Sequence, residues 1–274
     1  MSGTVIVVTS GKGGVGKTTA AANIGAALAM MGPSVALIDA DIGLRNLDLV
    51  LGLENRIVYD LVNVVEGVAD ARKALIRHKH IKNLSLLPAA QSRDKTAVTP
   101  EQMKAVTDDL KSSFDFVILD CPAGIEQGFK NAIAGAERAI IVTTPEMSAV
   151  RDADRIIGML EPHEIYDPWL IINRIRPDMV KRRDMLDVDD VLEQLKVDLL
   201  GVIPDDEAII VATNKGIPVV MDEKSKAGRA FRDVAARIMG EDVPMAAAAE
   251  EEDWFTRIIR WFARARGEGM ANGI

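Results

Sequence analysis

Residues 4–25 read TVIVVTSGKGGVGKTTAAANIG and pass within a few positions from β-branched residues to glycine and then to alanine. Val5 to Val8 is a short continuous apolar run, the pattern of a strand buried on both faces of a sheet. Gly11-Lys12-Gly13-Gly14-Val15-Gly16-Lys17-Thr18 then fits G-x-x-x-x-G-K-[ST] and is followed by Thr19 and a helical pattern from Lys17 to Met30. Strand, glycine loop and helix in that order form a phosphate cradle. Glycines let successive backbone N–H groups curl around phosphate oxygens without Cβ clashes, and the helix N-terminus adds positive potential. In such a loop Lys17 reaches the β- and γ-phosphates and Thr18 holds Mg²⁺, so a nucleoside triphosphate with Mg²⁺ is the expected ligand. The chemistry of the loop uses one lysine, and Lys12 is a second.

Working outward, short apolar runs recur with helical stretches between them: VALID, LSLLPA, FVILD, AIIVTT, WLIIN and LLGVIP, with helices expected over Pro145 to Leu160 and Lys224 to Ile238. The alternation of strand and helix predicts a single doubly wound, mostly parallel α/β sheet of P-loop NTPase type. Two of the runs end in acid. Asp120 closes FVILD, where a carboxylate emerges at the C-terminal edge of the sheet beside the metal water. Asp39 and Asp41 end VALIDAD; alternate residues of extended chain face one side, so both carboxylates can point at the crevice, and one can orient an attacking water. Thr18, Asp39 and Asp120 are the expected Mg²⁺ ligands, and Lys17 is an expected catalytic residue. A simple loop-capping role is the alternative for the two aspartates.

Composition narrows the class. At 274 residues and 48% hydrophobic content the chain can bury a sizeable core, whereas a formal net charge of −8 argues against constitutive nucleic-acid binding, which needs a Lys/Arg surplus. Cys121 is the single cysteine, so neither an internal disulfide nor a Cys cluster for zinc or iron–sulfur can form. His78, His80 and His163 sit among charged residues without partners at ligand spacing and read as solvated surface groups. The N-terminus has no basic region leading into an apolar core, and no stretch approaches 18 apolar residues, so neither secretion nor membrane spanning is indicated.

The placement of Lys12 in K-G-G-x-G-K-T-T resembles the deviant Walker A loop of the ParA/MinD superfamily. Beyond the loop, DADIGLRNLDLVLG, LPAAQSRDK, DCPAGIEQG, TTPEMSAVRDADRIIGML, DMLDVDDVLE and GVIPDD are similar to blocks of its septum-site-determining branch, in order from about Thr4 to Val243. The resemblance implies ATP as the nucleotide, and that Lys12 reaches across a homodimer to the partner's phosphates, in the manner of an arginine finger supplied in trans. It implies Asp41 as the carboxylate of the hydrolytic water, Asn46 as a switch I contact, and Pro122, Ala123 and Gly124 as switch II. Asn173 and Arg174 would recognise adenine, with Pro204 and Asp205 closing the base pocket; an Asn amide can read an adenine edge, though a strand-end Asn is also a common turn residue. Partners of the MinC-like inhibitor and MinE-like activator kinds would follow, with the chain in the cytoplasm and at the inner face of the membrane.

After Pro244 the composition shifts. MAAAAEEED carries no strand pattern, so 1–243 is expected as the ATPase domain and 244–253 as a linker. On a helical wheel Trp254, Phe255, Ile258, Ile259, Trp261 and Phe262 share an arc of about 160°, with Arg257, Arg260 and Arg264 opposite. That is the pattern of a helix lying in the plane of an anionic membrane, expected over 254–266, with a disordered tail over 267–274. The competing reading is a C-terminal helix packed on its own core. Two further readings differ in class: a ParA-like partitioning ATPase, disfavoured by the acidic charge balance, and a small-molecule P-loop enzyme, which has no use for Lys12 or the amphipathic segment.

Overall fold

The computed structural model describes residues 2–245. The expected helix over 254–266 and the tail over 267–274 lie outside the described residues, as does the linker beyond Met245. Eight strands form one sheet: β1 (Thr4–Thr9), β2 (Val35–Asp39), β3 (Ile76–Arg77), β4 (Leu84–Leu87), β5 (Phe116–Asp120), β6 (Arg138–Thr143), β7 (Trp169–Ile175) and β8 (Asp198–Pro204). Their order is β3-β4-β2-β5-β1-β6-β7-β8. Every pairing is parallel except β3 with β4, which is antiparallel. The doubly wound sheet read from the sequence is therefore present, and its seven apolar runs correspond to seven of the strands within one or two residues at each end.

Seven helices of seven residues or more pack on it among the described residues: α1 (Lys17–Met30), α2 (Pro100–Lys111), α3 (Gln127–Ile133), α4 (Met147–Leu160), α5 (Val188–Leu195), α6 (Glu207–Asn214) and α7 (Lys226–Ile238). Strand residues alternate between two cores. Val5 and Val7 face α2 to α5, while Ile6 and Val8 face α1 and α7. Both faces are covered, so β2 is buried at every position and β5 at all but its first residue; continuous rather than alternating apolar runs result.

Helix starts separate into two groups. Thr99, Asp187, Asp206 and Ser225 cap α2, α5, α6 and α7 with side-chain oxygens. The first turns of α1, α3 and α4 have no side-chain cap. Those three helices follow β1, β5 and β6, neighbours at the centre of the sheet, and so their free N–H groups converge on the crevice at its C-terminal edge.

The C-terminal end of the described chain is tied down. Arg237, in the last turn of α7, donates from Nε to the Val243 carbonyl (2.9 Å), from Nη2 to that of Pro244 (2.7 Å) and from Nη1 to that of Leu200 (2.9 Å). No helix among the described residues is long and apolar enough to cross a membrane.

Candidate nucleotide site

The loop after β1 is built by its glycines. Gly14 and Gly16 have φ of +79° and +94°, a left-handed conformation that costs L side chains. A Cβ on Gly13 or Gly14 would meet nothing within 4 Å, whereas one on Gly16 would run into the Asn173 amide and one on Gly11 into the Asp152 backbone. The loop is thus open on its outer side and packed on its inner side. Gly16 is the N-cap of α1, and no side chain caps the helix's first N–H groups. An open concave backbone ending in free donors fits a phosphate group.

The two lysines of the loop diverge. Lys17 is 7% exposed and its Nζ lies 2.7 Å from Asp120 Oδ1. Burial opposes its charge, yet the carboxylate of Asp120, both as a charge and as an acceptor, wins and the ammonium is held above its usual range. Lys12 points outward. Its side chain is 44% exposed, 3.6 Å from Glu146 Oε2, and donates to Ser148 Oγ at 3.2 Å at the start of α4.

Register brings the acids together. Asp39 and Asp120 sit directly opposite on β2 and β5, and each is 1% exposed. Asp39 accepts from the backbone N–H of Asp41 (3.0 Å), Asn46 (3.2 Å) and Leu47 (3.1 Å), which folds the 40–47 loop around its carboxylate. Burial first, and the charge of Asp120 second, push the Asp39 carboxyl up to about 7. Asp41 is close enough for its charge to act on both Lys17 and Asp39. Thr18 lies one residue beyond Lys17 in the first turn of α1.

Two buried carboxylates that repel each other, beside a hydroxyl, suit a hard divalent cation whose remaining ligands are phosphate oxygens and water. Mg²⁺ is usually held by one or two carboxylates and the substrate. The donor set Thr18, Asp39 and Asp120 fits that ion.

Cys121, next to Asp120, is fully buried with its thiol pushed up to about 12 by desolvation, so it is chemically quiet.

Asn173 ends a regular run of β7 where the ladder to β8 is irregular between Asn173 and Ile175. Arg174 there takes φ of +58°, and the bulge turns the Asn173 amide back under the phosphate loop. Its Nδ2 donates to the Val15 carbonyl at 2.8 Å and its Oδ1 accepts from Arg174 N–H at 3.0 Å. One amide hydrogen and one lone pair stay available. Asp205 N–H donates to the Ile175 carbonyl at 3.0 Å, which joins the ends of β7 and β8. A cavity of about 400 Å³ opens there, lined in part by Ile175, Pro177 and Pro204 with Arg176 and Asp205. Pro204 and Asp205 meet the β7 end, and Arg176 and Pro177, which the sequence reading did not single out, line the same cavity. Glu146 and Ser148, which touch Lys12, were also missed as site residues, although they belong to the TTPEMSAV block.

One sequence reading is overturned. His78 is 6% exposed and is not a solvated surface group. Its Nδ1 accepts from the backbone N–H of His80 (3.2 Å) and Ile81 (3.0 Å), and burial, with nearby cations, lowers it to about 4.

The family model described as "ParA: NUBPL iron-transfer P-loop NTPase" matches residues 2–239. The septum site-determining protein MinD of Bacillus subtilis (strain 168) is 55% identical over 266 residues, covering 96% of this chain and 99% of that protein. MinD of Thermotoga maritima is 55% identical over 245 residues, covering 89% and 90%. Among solved structures, the MinC:MinD cell division protein complex of Aquifex aeolicus matches with a TM-score of 0.83 and 48% identity over 89% of this chain and 98% of that one. MinD of Pyrococcus horikoshii complexed with Mg-ADP matches with a TM-score of 0.79 and 31% identity over 88% and 99%.

Proposed function

The chain belongs to the ParA family of P-loop NTPases, in its MinD septum-site-determining branch, and on that premise we propose an ATPase whose ATP-dependent homodimer binds the membrane and recruits a division inhibitor. The observation that carries this reading is the divergence of two lysines from one loop, Lys17 inward to Asp120 and Lys12 outward on the surface.

Binding comes first. The uncapped N–H groups of α1 and the open backbone of Gly13 and Gly14 receive the phosphates of ATP, with Gly11, Val15, Gly16 and Thr19 shaping the loop. Asn173, Arg174, Pro204 and Asp205 take the base end. Thr18, Asp39 and Asp120 would hold Mg²⁺, which would supply charge neutralisation at the β- and γ-phosphates. Lys17 shifts its charge from Asp120 to the phosphates, and Asp41 orients the attacking water. Little covalent work falls to the protein, so positioning and electrostatics supply the catalysis.

Lys12 completes the site of the partner subunit. Its contacts to Glu146 and Ser148 are solvent-exposed and are worth at most about 1 kcal/mol, so release toward a partner's phosphates costs little. Hydrolysis to ADP then removes the group that holds the two subunits together.

The segment 254–266 couples this cycle to lipid through Trp254, Phe255, Ile258, Ile259, Trp261 and Phe262. A helix of about three turns is marginal in water, and one copy binds weakly; two copies on a dimer gain avidity. The arginines add roughly 1 kcal/mol each at an anionic surface. The MinC:MinD complex of the Aquifex relative supports a MinC-like inhibitor as partner, and a MinE-like activator is the natural counterpart.

Co-sedimentation with anionic vesicles tests the reading, using the full chain and a chain ending at Asp253, each with a non-hydrolysed ATP analogue and with ADP. The full chain is expected to pellet more with the analogue, and the shortened chain to stay soluble with unchanged ATPase and dimerisation. Undiminished pelleting of the shortened chain would remove the lipid-binding role of 254–266, and its failure to fold would make the segment a core helix instead.

A further inference from the structure

A second anion site lies at the far edge of the sheet. Between Asp70 and Asp94 the chain has no carboxylate but carries Arg72, Lys73, Arg77, Lys79, Lys82 and Arg93, in a protein of net charge −8. This run forms β3 and its flanks. β3 is an edge strand, four ladder steps from β1, or roughly 19 Å at the usual strand spacing. The cluster is therefore separate from the phosphate loop.

The cations converge on a cavity. Arg56 and Val58 with Tyr59 from one segment, and Lys73 to Arg77 from the other, line about 310 Å³, and no carboxylate is among the lining residues. Arg56 Nη1 donates to the Arg77 carbonyl at 2.9 Å, which fixes its guanidinium at the mouth while leaving its other N–H groups unspent. Arg56 and Arg77 have no acidic partner among the described residues, and Lys73 has only the exposed Asp70 at 3.5 Å. Uncompensated positive charge on an edge strand also discourages edge-to-edge pairing. That role accounts for Arg77 but not for Arg56 and Lys73, which come from outside the strand and meet at the same cavity.

We propose that Arg56, Lys73 and Arg77 form a binding site for a phosphate-bearing anion, either free or as the headgroup of an acidic phospholipid. Two guanidiniums offer forked donors that match phosphate oxygens, and the ammonium adds a third charge. The volume suits a phosphate monoester or diphosphate. Tyr59 and the exposed Val58 give the mouth an apolar side on which the organic part of such a ligand can rest.

The test uses the full chain saturated with Mg-ADP, which fills the phosphate loop. Inorganic phosphate is titrated at constant ionic strength against a chloride control, and the side-chain Nε–H signals of Arg56 and Arg77 are followed by NMR. Saturable shifts confined to residues 56–59 and 73–77 are expected, weakened at least about tenfold in K73Q/R77Q. A parallel arm measures co-sedimentation of both chains with vesicles of acidic phospholipid and of phosphatidylcholine. Weaker binding of K73Q/R77Q to acidic vesicles identifies the headgroup as the source; unchanged vesicle binding with lost phosphate shifts identifies the free anion. The proposal is overturned if phosphate gives no shift beyond chloride in the unmodified chain and vesicle binding is the same for both. The phosphate titration of the unmodified chain decides even if the variant folds poorly.

Discussion

Replacing Lys17 by Met removes the ammonium while keeping most of the buried stem. Asp120 and Asp39, each 1% exposed and directly opposite in the β2–β5 ladder, are then left facing each other without a counter-charge. Breaking a buried ion pair by deleting one partner costs about 3–5 kcal/mol, a large part of the roughly 5–15 kcal/mol that holds a domain folded. The penalty depends on pH with a definite sign. Asp39 already has its folded pKa raised to about 7 by burial and by Asp120. A carboxyl raised above its unfolded value binds its proton more tightly in the folded state, so the stability it lends is full at low pH and is lost as pH rises through the folded value. Without Lys17 that loss is steeper. The variant is expected to be about 3–5 kcal/mol less stable than the parent at pH 8.5, with the gap narrowing by about 1–2 kcal/mol at pH 5.5, since a tenfold change in proton affinity is worth about 1.4 kcal/mol. Urea unfolding of both chains without nucleotide at the two pH values measures this. Adding Asp120→Asn to the Lys17→Met chain should restore most of the stability, as a double-mutant cycle with strong coupling. A Lys17→Met chain as stable as the parent at pH 8.5, or a pH-independent penalty, would refute the reasoning.

Lys12→Ala should leave the fold and ADP binding intact, because its contacts to Glu146 and Ser148 are exposed, while abolishing or uncoupling the proposed dimer, with light scattering in a non-hydrolysed ATP analogue as the measurement; a normal dimer with normal ATPase would remove its role in trans. Asp41→Ala should keep ATP affinity within about tenfold yet lose most single-turnover hydrolysis, since positioning acts in the transition state; hydrolysis at the parent rate would make Asp41 a loop residue only. His78 titrates near 4 rather than 6.5, so the unfolded chain takes up its proton first as pH falls and the folded state loses stability through that window. His78→Asn, which keeps an acceptor for the His80 and Ile81 N–H groups, should flatten thermal stability between pH 6.5 and 4, and equal slopes for the two chains would contradict the buried role.

Much of this architecture was legible because its signals are local. A strand covered on both faces must be apolar throughout, so VALID and FVILD announce themselves, and a glycine loop between strand and helix has few other uses. β3 escaped notice for the opposite reason: two residues long, on an edge, with Arg77 exposed, it has neither the length nor the apolar run of a strand. His78 was misread because its neighbours in sequence are cationic, while its burial depends on the turn from His78 to Leu84. The site followed the same division. A motif encodes which side chain types a phosphate needs, but the protein groups those side chains touch depend on register between distant strands. Lys17 and Asp120 are 103 residues apart, and Asn173 meets Val15 across 158. Neither pairing has a sequence signal of its own.

These long-range pairings also explain how the site can be built at all. Asp39 and Asp120 would repel if left alone in the core, and the Lys17 ammonium would be costly to bury unpaired. Together the three groups carry one net negative charge rather than two, and the backbone donors from Asp41, Asn46 and Leu47 spread part of that remainder. The same groups can then serve Mg²⁺ and phosphate with little reorganisation. On the proposed reading Asp39 and Asp120 would hold Mg²⁺, whose charge would offset the two carboxylates once the Lys17 ammonium pairs with phosphate. Because Asp39 also holds the N–H groups of Asn46 and Leu47, any change in its charge is felt directly by the 40–47 loop that carries Asp41. Cation and nucleotide are on this account linked to the position of the expected water-orienting carboxylate through a single side chain, Asp39.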